Sequence, residues 1–329
     1  TWAYITDFPQ SQDCVTSEKQ NELKIIYENV NYIVCQTKQL EEYFKDILEM
    51  NHNKFIILPP IIPDYNLQEP SFKNNNNRLI YVGKFAFLWH IQESIDTFVK
   101  MKEKYKDIEF HIAGDKFNIN PANDNFENEL RYKLENTEGV IWHKGIARGE
   151  VEKLINECDL GISWRHSALD DSLEISTKLL EYGRLGKPVI LNKNNIHEEL
   201  LGKDYPLFAN SETEFIEQVE KGFFNPDVYE KAAKILYNTC KQFTFSQVYK
   251  HLFDYLWNDG VKPKDVQGHS RVKILFAGHN LSFAQILIDY FKGVEGYEVM
   301  IDQWKGHNKN DEDQSRECLS WADVIVCEW

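Results

Sequence analysis

Between residues 78 and 163, four apolar segments with the character of strands alternate with segments of helical spacing. The strands are predicted at Arg78–Val82, Ile108–Ile112, Val140–His143 and Leu160–Ser163, and the helices at Ile91–Tyr105, Asn125–Asn136 and Glu150–Glu157. Such alternation with short connections indicates a parallel sheet covered by helices. Each strand is followed by, or ends in, a glycine or a polar residue. Ligands of open α/β sheets bind beyond the carboxyl ends of strands, so these ends form one candidate rim.

Two further α/β runs flank this unit. The spacing predicts strands at Trp2–Ile5, Asn31–Cys35 and Lys54–Leu58 in residues 1–64, and at Val272–Phe276, Glu298–Ile301 and Val324–Cys327 near the other end. Residues 68–77 are polar and rich in turn formers, as an interdomain hinge would be. Residues 211–218 and 227–257 read as helices. We expect the segments 1–70, 78–215, 216–259, a linker over 260–270, and 271–329.

The composition narrows the classes of function. A chain of 329 residues with 42% apolar residues can build two domains with cores. The sequence has no uninterrupted apolar run of about 18 residues, so we expect no membrane span. The net charge of −15 argues against a nucleic-acid partner, because phosphate backbones require clustered Lys and Arg. Six cysteines without a C-x-x-C pair indicate reduced thiols, a cytoplasmic setting and no metal site.

The segment 174–190 reads as loop, helix, tight turn and buried strand. Ser176 and Thr177 can cap the helix start, and Gly186-Lys-Pro188 ends the helix before an apolar strand. A capped helix start presents free N–H groups and the positive end of the helix dipole, which together favour a phosphate.

A cation and a carboxylate lie one turn apart on this helix. Lys178 falls in its first turn, and Glu181 follows as an acceptor suited to a sugar diol. This pairing is what a nucleotide-diphosphate site requires. The alternative is a solvated Lys–Glu pair at i, i+3, which is common on helices.

Five blocks along the middle of the chain occur in a fixed order. They are Tyr81-Val-Gly-Lys84, His111-Ile-Ala-Gly-Asp115, Val140-Ile-Trp-His-Lys-Gly145, Cys158-Asp-Leu-Gly-Ile-Ser163, and Lys178-Leu-Leu-Glu-Tyr182 before Gly186-Lys-Pro-Val-Ile190. In order and spacing, residues 78–191 resemble the donor-binding domain of the retaining GT-B glycosyltransferases of family 4. The resemblance implies an α/β fold of GT-B type, with two Rossmann-type parallel-sheet domains facing a cleft.

The resemblance also implies a donor site. Lys84 matches the family's phosphate-binding basic residue, and Glu181 matches the glutamate that binds the ribose hydroxyls. Gly114 and Gly145 would let the nucleotide approach the backbone, or they are plain turn glycines. The expected nucleotide-binding residues are Gly83, Lys84, Gly114, Gly145, Ser176, Thr177, Lys178 and Glu181.

The sequence departs from the family pattern in two places. The family's second lysine is expected shortly after Lys84, but Trp89-His90 occupies that region. Six residues lie between Glu174 and Glu181, one fewer than in the family's paired-glutamate motif, so the register-matched residue is Leu173. Either Glu174 contacts the sugar from a shifted loop, or that role is absent.

Further candidates lie near the predicted strand ends. Trp164, Arg165 and His166 follow a strand at the rim and are candidates for contact with the sugar or the diphosphate. Asp7 and His279 belong to the flanking α/β runs and are candidates to orient or deprotonate a hydroxyl. With Glu174, the candidate for the sugar contact, they make up the predicted catalytic residues. The alternative is that Asp7 and His279 form turns.

The flanking runs resemble two halves of one domain. Residues 1–64 are similar to the second half of the acceptor-side domain of this family, and residues 271–329 to the first half of the same kind of domain. Two explanations are open: the chain is a piece of a tandem enzyme cut between two modules, or residues 271–329 complete the sheet of residues 1–64 within one chain or between chains. Bare strand edges invite aggregation, which favours completion.

The resemblance implies a hexosyltransferase that moves a sugar from a nucleotide-diphosphate sugar to a glycan or polysaccharide acceptor. It further implies retention of configuration, no metal and no cofactor beyond the donor substrate. We expect a cytoplasmic protein, or one peripheral to the inner face of a membrane, with self-association possible through 271–329. Two alternatives are a non-catalytic pairing module of an assembly protein and a GT-B-fold sugar-nucleotide epimerase.

Overall fold

The computed structural model of the chain describes residues 2–5, 15–49, 54–65, 69–120, 122–250, 271–278, 281–303, 312–322 and 324–327. The strands are β1 (Trp2–Tyr4), β2 (Tyr32–Cys35), β3 (Phe55–Ile57), β4 (Arg78–Val82), β5 (Glu109–Ala113), β6 (Val140–Lys144), β7 (Leu160–Ser163), β8 (Val189–Leu191), β9 (Val272–Gly278), β10 (Tyr297–Gln303) and β11 (Val324–Cys327). The helices are α1 (Ser17–Asn29), α2 (Lys38–Leu48), α3 (Ile91–Lys104), α4 (Phe126–Asn136), α5 (Arg148–Glu157), α6 (Thr177–Arg184), α7 (Asn195–Leu201), α8 (Glu212–Phe224), α9 (Pro226–Cys240), α10 (Gln285–Gly293) and α11 (Glu312–Trp321).

The central sheet has five parallel strands in the order β6-β5-β4-β7-β8. The chain builds outward from β4 to β6 and then returns to place β7 on the other side of β4. The strand order therefore reverses between β4 and β7, and the crevice beyond their carboxyl ends is where α/β sheets bind ligands. The parallel sheet predicted from the sequence is confirmed.

One core joins this sheet to the helices that follow it. Buried side chains of the strands, such as Leu160 and Ile190, belong to the same cluster as Phe215 on α8 and Leu236 on α9. A methyl group added at Gly222 of α8 would lie 2.6 Å from a Leu160 side-chain carbon, so the helix packs directly onto β7. The segment 216–259, which we expected as a separate run of helices, thus shares the core of the sheet up to residue 243.

The polar segment before β4 is fixed to the sheet. The buried Asp159 carboxylate accepts backbone N–H groups of Asn75, Asn76 and Arg78 at 2.9, 3.1 and 3.0 Å. Asn74 Nδ2 donates to Phe223 O at 2.8 Å. Three backbone donors on one carboxylate hold the start of β4 and the end of α5 together.

The structure corrects one helix prediction and adds one helix that was not predicted. The helix expected over 227–257 is interrupted, because α9 ends at Cys240 and a short 3-10 turn follows. The break lets Phe243 O accept from Ile62 N (2.9 Å) and Phe245 N donate to Ile62 O (2.9 Å), a pairing with a distant segment that no local spacing reveals. The sequence also gave no sign of α7, which Asn194 caps by accepting from His197 N at 2.8 Å.

Two smaller parallel sheets have the orders β1-β2-β3 and β10-β9-β11. The strands expected for them in both flanking runs are present. Within the described ranges each sheet pairs only its own three strands, so a joint six-stranded sheet stays a prediction. No helix in the described part of the chain is long and apolar enough to cross a membrane.

Tyr182 ties the helix α6 to the end of β4. Its ring is fully buried, and its hydroxyl accepts from Val82 N at 2.8 Å directly before the loop that leaves β4. We expect Tyr182→Phe to lower the free energy of unfolding by about 1–3 kcal/mol, because the Val82 N–H loses its partner in a packed site. Urea denaturation measures this change. The exposed Tyr132→Phe is the control, and a loss no larger than in that control would contradict the assignment.

Candidate functional site

Two glycines lie side by side where β4 and β5 end, Gly114 against the backbone of Gly83 and Gly83 beneath the side chain of Lys178. A Cβ at Gly114 would lie 2.0 Å from Gly83 O, and a Cβ at Gly83 would lie 2.6 Å from Lys178 Cε. Gly83 also has φ +140°, a backbone conformation that other residues rarely adopt. Two of the predicted site glycines are thus brought together at the switch point, and their close packing alone accounts for glycine there.

Lys178 reaches from the first turn of α6 across Gly83. Its Nζ lies 3.9 Å from the centre of the Trp89 ring and 4.9 Å from the centre of the Tyr81 ring. Aromatic faces at these distances attract an ammonium group. Trp89 occupies the region where the sequence lacks the family's second lysine, so Lys178 carries a cation to that region from a different element.

The surroundings of Lys178 disfavour the protonated, charged form of its side chain. Burial, together with the positive charges of Arg165 and Lys84, lowers the pKa of Lys178 to about 7, although the Glu181 carboxylate opposes the shift. Positive groups from three elements therefore converge where β4 and β7 end. An anion bound among them would relieve their mutual repulsion.

The start of α6 confirms one half of the capping prediction. Ser176 is the N-cap residue, but its side chain makes no capping hydrogen bond, and its Oγ lies 3.3 Å from Ser163 Oγ instead. Thr177 is the first helical residue and is exposed. The first-turn N–H groups therefore receive no acceptor from the cap side chain, which leaves them to a ligand or to water.

Glu181 lies one turn beyond Lys178, as predicted. Burial raises the pKa of Glu181, while the cations Arg148, Lys178 and Arg184 lower it. Arg148, at the start of α5, had no signal in the sequence, because only the fold places α5 beside α6. A half-buried carboxylate among these cations is available to accept hydrogen bonds from a diol.

The loop that carries Glu174 is anchored to the N-terminal sheet domain. Leu173 packs against the core of residues such as Leu23, and Leu173 O accepts from Thr37 Oγ1 at 2.7 Å. Glu174 follows it and is half-buried; its charge acts on both Tyr4 and Arg165. Leu173, the register-matched residue, packs into the neighbouring core, so Glu174 is the carboxylate that this loop presents near Arg165, and its contact with the sugar stays a prediction.

Three remaining candidates, Gly145, Trp164 and Lys84, have different surroundings. Gly145 follows β6, where an added Cβ would meet Asp115 Oδ2 at 2.2 Å. Trp164 is buried and packs on Phe215 at 4.8 Å between ring centres, as a core residue does, and its contact with the sugar or the diphosphate stays a prediction. Lys84 is exposed directly after β4, and the Tyr81 hydroxyl donates to its carbonyl at 2.5 Å.

Asp7 and His279 lie outside the described residues, so their roles stay predictions. Among the residues the structure describes, no group of three or more His, Cys, Asp or Glu side chains is arranged to hold a metal ion.

Comparison with known proteins places these features in a family. The model of the family described as glycosyl transferases group 1 matches residues 65–241, which is more than half of the chain. This range contains the switch point and α6. No curated protein matches the sequence closely enough to be reported as a relative.

Several solved structures share the fold. Anabaena Alr3699/HepE in complex with UDP and glucose matches with a TM-score of 0.62 and 13% identity, covering 78% of this chain and 71% of that one. The GtfA/B complex (TM-score 0.60, 13% identity) and the pneumococcal O-GlcNAc transferase GtfA in complex with UDP and GlcNAc (0.59, 11%) each cover 78% of this chain. The chain spans about half the length of the last two, 52% in each case. At these identities the likeness shows the fold alone, and it confirms the GT-B-type α/β architecture.

The lowered pKa of Lys178 predicts a pH-dependent difference from Lys178→Met. An unfolded lysine titrates near 10.4, roughly, so between pH 7 and 10 the unfolded chain holds a proton that the folded chain lacks. The wild-type free energy of unfolding should therefore rise relative to Lys178→Met over this window, by up to about 1.4 kcal/mol per pH unit. Below pH 7 both states are protonated and the difference is constant. Urea titrations from pH 6 to 9.5 measure it, and parallel curves throughout would contradict the prediction.

Proposed function

Because the chain belongs to the glycosyl transferases group 1 family, we propose that it transfers a hexose from a nucleotide-diphosphate sugar to a glycan or polysaccharide acceptor. The observation that carries the proposal is the convergence of Lys84 and Lys178 with the free start of α6 at the switch point. Cations and helix N–H groups in one crevice favour a diphosphate.

Different residues of the crevice bind different parts of the donor. Lys84 and Lys178 bind the diphosphate, and the first-turn N–H groups of α6 at Ser176 and Thr177 add donors. Glu181 accepts hydrogen bonds from the ribose hydroxyls. Gly83, Gly114 and Gly145 leave the rim of the sheet open to the nucleotide. Complexes with UDP in the structural neighbours HepE and GtfA support a nucleotide sugar as the donor.

Fixed positive charge also serves the reaction step. As the bond between the sugar and the diphosphate breaks, negative charge grows on the departing phosphate oxygen. Lys178, which is held by its contacts with Trp89 and Tyr81, is already in place near that charge and needs little reorganisation, which is the basis of electrostatic catalysis. We therefore propose a metal-independent transfer with no cofactor beyond the donor, and retention of configuration at the transferred carbon.

Three further residues have roles in the proposed reaction: Glu174, Asp7 and His279. Glu174 lies on the loop anchored by Leu173 and faces the donor side, so it contacts the sugar. Asp7 and His279 orient or deprotonate the acceptor hydroxyl.

The enzyme would act in the cytoplasm or at the inner face of a membrane, and residues 271–329 would support self-association.

Replacement of the two lysines tests the phosphate site. Lys84→Ala and Lys178→Ala should each reduce the transfer rate by about 10²–10³, the loss typical of one oxyanion-stabilising contact. Transfer from radiolabelled UDP-, GDP- and dTDP-sugars measures the rate, and NMR of the product anomer tests retention.

The matched control is Lys221→Ala on α8, whose Nζ lies 3.8 Å from Glu217 on the same helix. It should transfer at the wild-type rate. Near-wild-type rates for both site variants would contradict the proposal. An epimerised donor without transfer would identify an epimerase instead, and no turnover with no nucleotide binding would identify a pairing module.

Glu174→Gln separates sugar contact from nucleotide binding. We expect transfer to fall by at least about tenfold, which corresponds to a contact of about 1.4 kcal/mol, while the affinity for the nucleoside diphosphate stays unchanged. Calorimetric titration with UDP, GDP and dTDP measures the affinity. Glu181→Ala is the opposite case, because it should weaken nucleotide binding itself. Unchanged transfer in Glu174→Gln would show that the residue has no role in the sugar site.

A further inference from the structure

Two histidine rings face each other between β5 and β6, the last strand on one side of the described central sheet. His111 Nδ1 lies 3.0 Å from His143 Nε2, and the two rings are nearly parallel. On its other side, His111 Nε2 lies 3.3 Å from Glu109 Oε2. An ionised carboxylate only accepts hydrogen bonds, so His111 Nε2 carries a proton and Nδ1 of the neutral ring is an acceptor. His143 Nε2 then donates to His111 Nδ1.

His143 is an extra residue in the pairing of β6 with β5. The register shifts by one residue between Ile112 and Ala113 of β5, so the backbone of His143 has no partner in that strand. Lys144, which follows, has φ +58°, a conformation that residues with a side chain rarely adopt and keep only where their surroundings hold it. A bulged residue lacks ladder hydrogen bonds, so the contact with the His111 ring is what fixes this end of β6.

The end of β6 in turn holds the backbone of Gly114 at the rim of the crevice. Gly114 N donates to Lys144 O at 2.8 Å, and Gly114 O accepts from Trp142 Nε1 at 2.8 Å. Both partners are direct neighbours of His143 in the sequence, so a movement of the bulge would release both backbone groups of Gly114. Because Gly114 packs against Gly83, the effect would extend to the switch point.

Burial and the charges on neighbouring elements set how readily the pair takes up protons. Burial lowers the pKa of both rings. Around His111, Glu109 on β5 and Glu157 at the end of α5 raise the pKa, and Arg78 on β4, whose Nε lies 2.6 Å from Glu109 Oε2, lowers it. For His143 the neighbouring His111 ring lowers the pKa and Glu157 raises it. The net pKa of each ring is below that of an ordinary histidine, so acid favours a state in which the rings are separated and hydrated.

We propose that the hydrogen bond between His111 and His143 is a positioning contact that holds the bulged end of β6, and with it Gly114, and that protonation of both rings releases it. Once both rings are protonated, His111 Nδ1 and His143 Nε2 each carry a hydrogen, so two donors and two positive charges face each other at 3.0 Å. The rings then separate, and the end of β6 leaves β5. Binding in the donor crevice thereby becomes sensitive to acid, a consequence that rests on the proposed function because it assumes that the nucleotide approaches at Gly114.

Amide hydrogen exchange at Gly114 tests the inference, because this N–H donates to the end of β6. After correction for the intrinsic exchange rate, its protection should fall between pH 7.5 and 5, by up to about tenfold per pH unit for each proton taken up on release. The internal control is the amide of Phe110, which donates to Gly139 O at the other end of the same strand pair and should keep its protection. An equal loss at Phe110 would mean that acid unfolds the whole sheet, and it would overturn the inference.

His143→Gln is the matched variant, because its side-chain amide can still donate to His111 Nδ1 but takes up no proton. Protection of Gly114 in this variant should stay constant over the same pH range. A fall equal to that of the wild type would show that the pair does not control the end of β6. If the variant does not fold, NMR of labelled histidine rings in the wild type replaces it: the pair should take up its two protons in separate steps, and two independent titrations near pH 6.5, roughly the ordinary value, would contradict the inference.

Calorimetric titration with UDP at pH 7.5 and 5.5 separates this inference from the proposed function. The affinity should fall more in the wild type than in His143→Gln, since protonation of the nucleotide itself affects both proteins equally. Release of Gly114 by acid without binding of UDP, GDP or dTDP at either pH would uphold the positioning contact and contradict the nucleotide-sugar function. Equal changes in affinity for both proteins, with Gly114 released only in the wild type, would overturn the link between β6 and the donor crevice.

Discussion

The absence of a side chain at Gly83 is the constraint on which the crevice depends. Because nothing projects from this position, the aliphatic part of Lys178 crosses the end of β4 and its ammonium reaches the rings of Trp89 and Tyr81. On the β5 side, Gly114 must also lack a side chain, because a Cβ there would meet Gly83 O at 2.0 Å. A methyl group at Gly83 would collide with the end of the Lys178 side chain and displace the lysine. Glycine at position 83 thus satisfies three requirements of the site: the positive φ of its backbone, the packing of Lys178 over it, and the position of the Lys178 charge.

The fold holds together cations that repel one another, and nearby carboxylates offset only part of the repulsion. The central sheet fixes Lys84 and Arg165 at the ends of adjacent strands, and the hydroxyl of Tyr182 joins α6 to β4. The free energy gained by packing the core offsets the repulsion between these cations, and a bound anion would reduce that repulsion. The loop before α6 is also held by packing between distant residues, because Leu173 joins it to the core of the N-terminal sheet.

The sequence was sufficient for the parts of this account that depend on local order. The strands of the central sheet, its parallel arrangement and the position of Lys178 one turn before Glu181 follow from spacing and turn residues. Three features did not follow, and each depends on a contact between distant residues. The end of α9 depends on pairing with Ile62, the placement of Lys178 on Trp89 depends on the approach of α6 to β4, and the shifted register at Glu174 depends on Leu173 entering another core. Local patterns contain none of these contacts.

The protonation of Lys178 tests the central claim most directly, namely that this crevice is a positively charged site awaiting a diphosphate. Heteronuclear NMR of isotope-labelled lysine, assigned with Lys178→Met, follows its titration with and without UDP. We expect a midpoint near pH 7 in the free protein, because burial and neighbouring cations lower the pKa to about 7, and a clear upward shift when the nucleotide is bound. A midpoint near that of an ordinary lysine, or one that UDP, GDP and dTDP all leave unchanged, would contradict it.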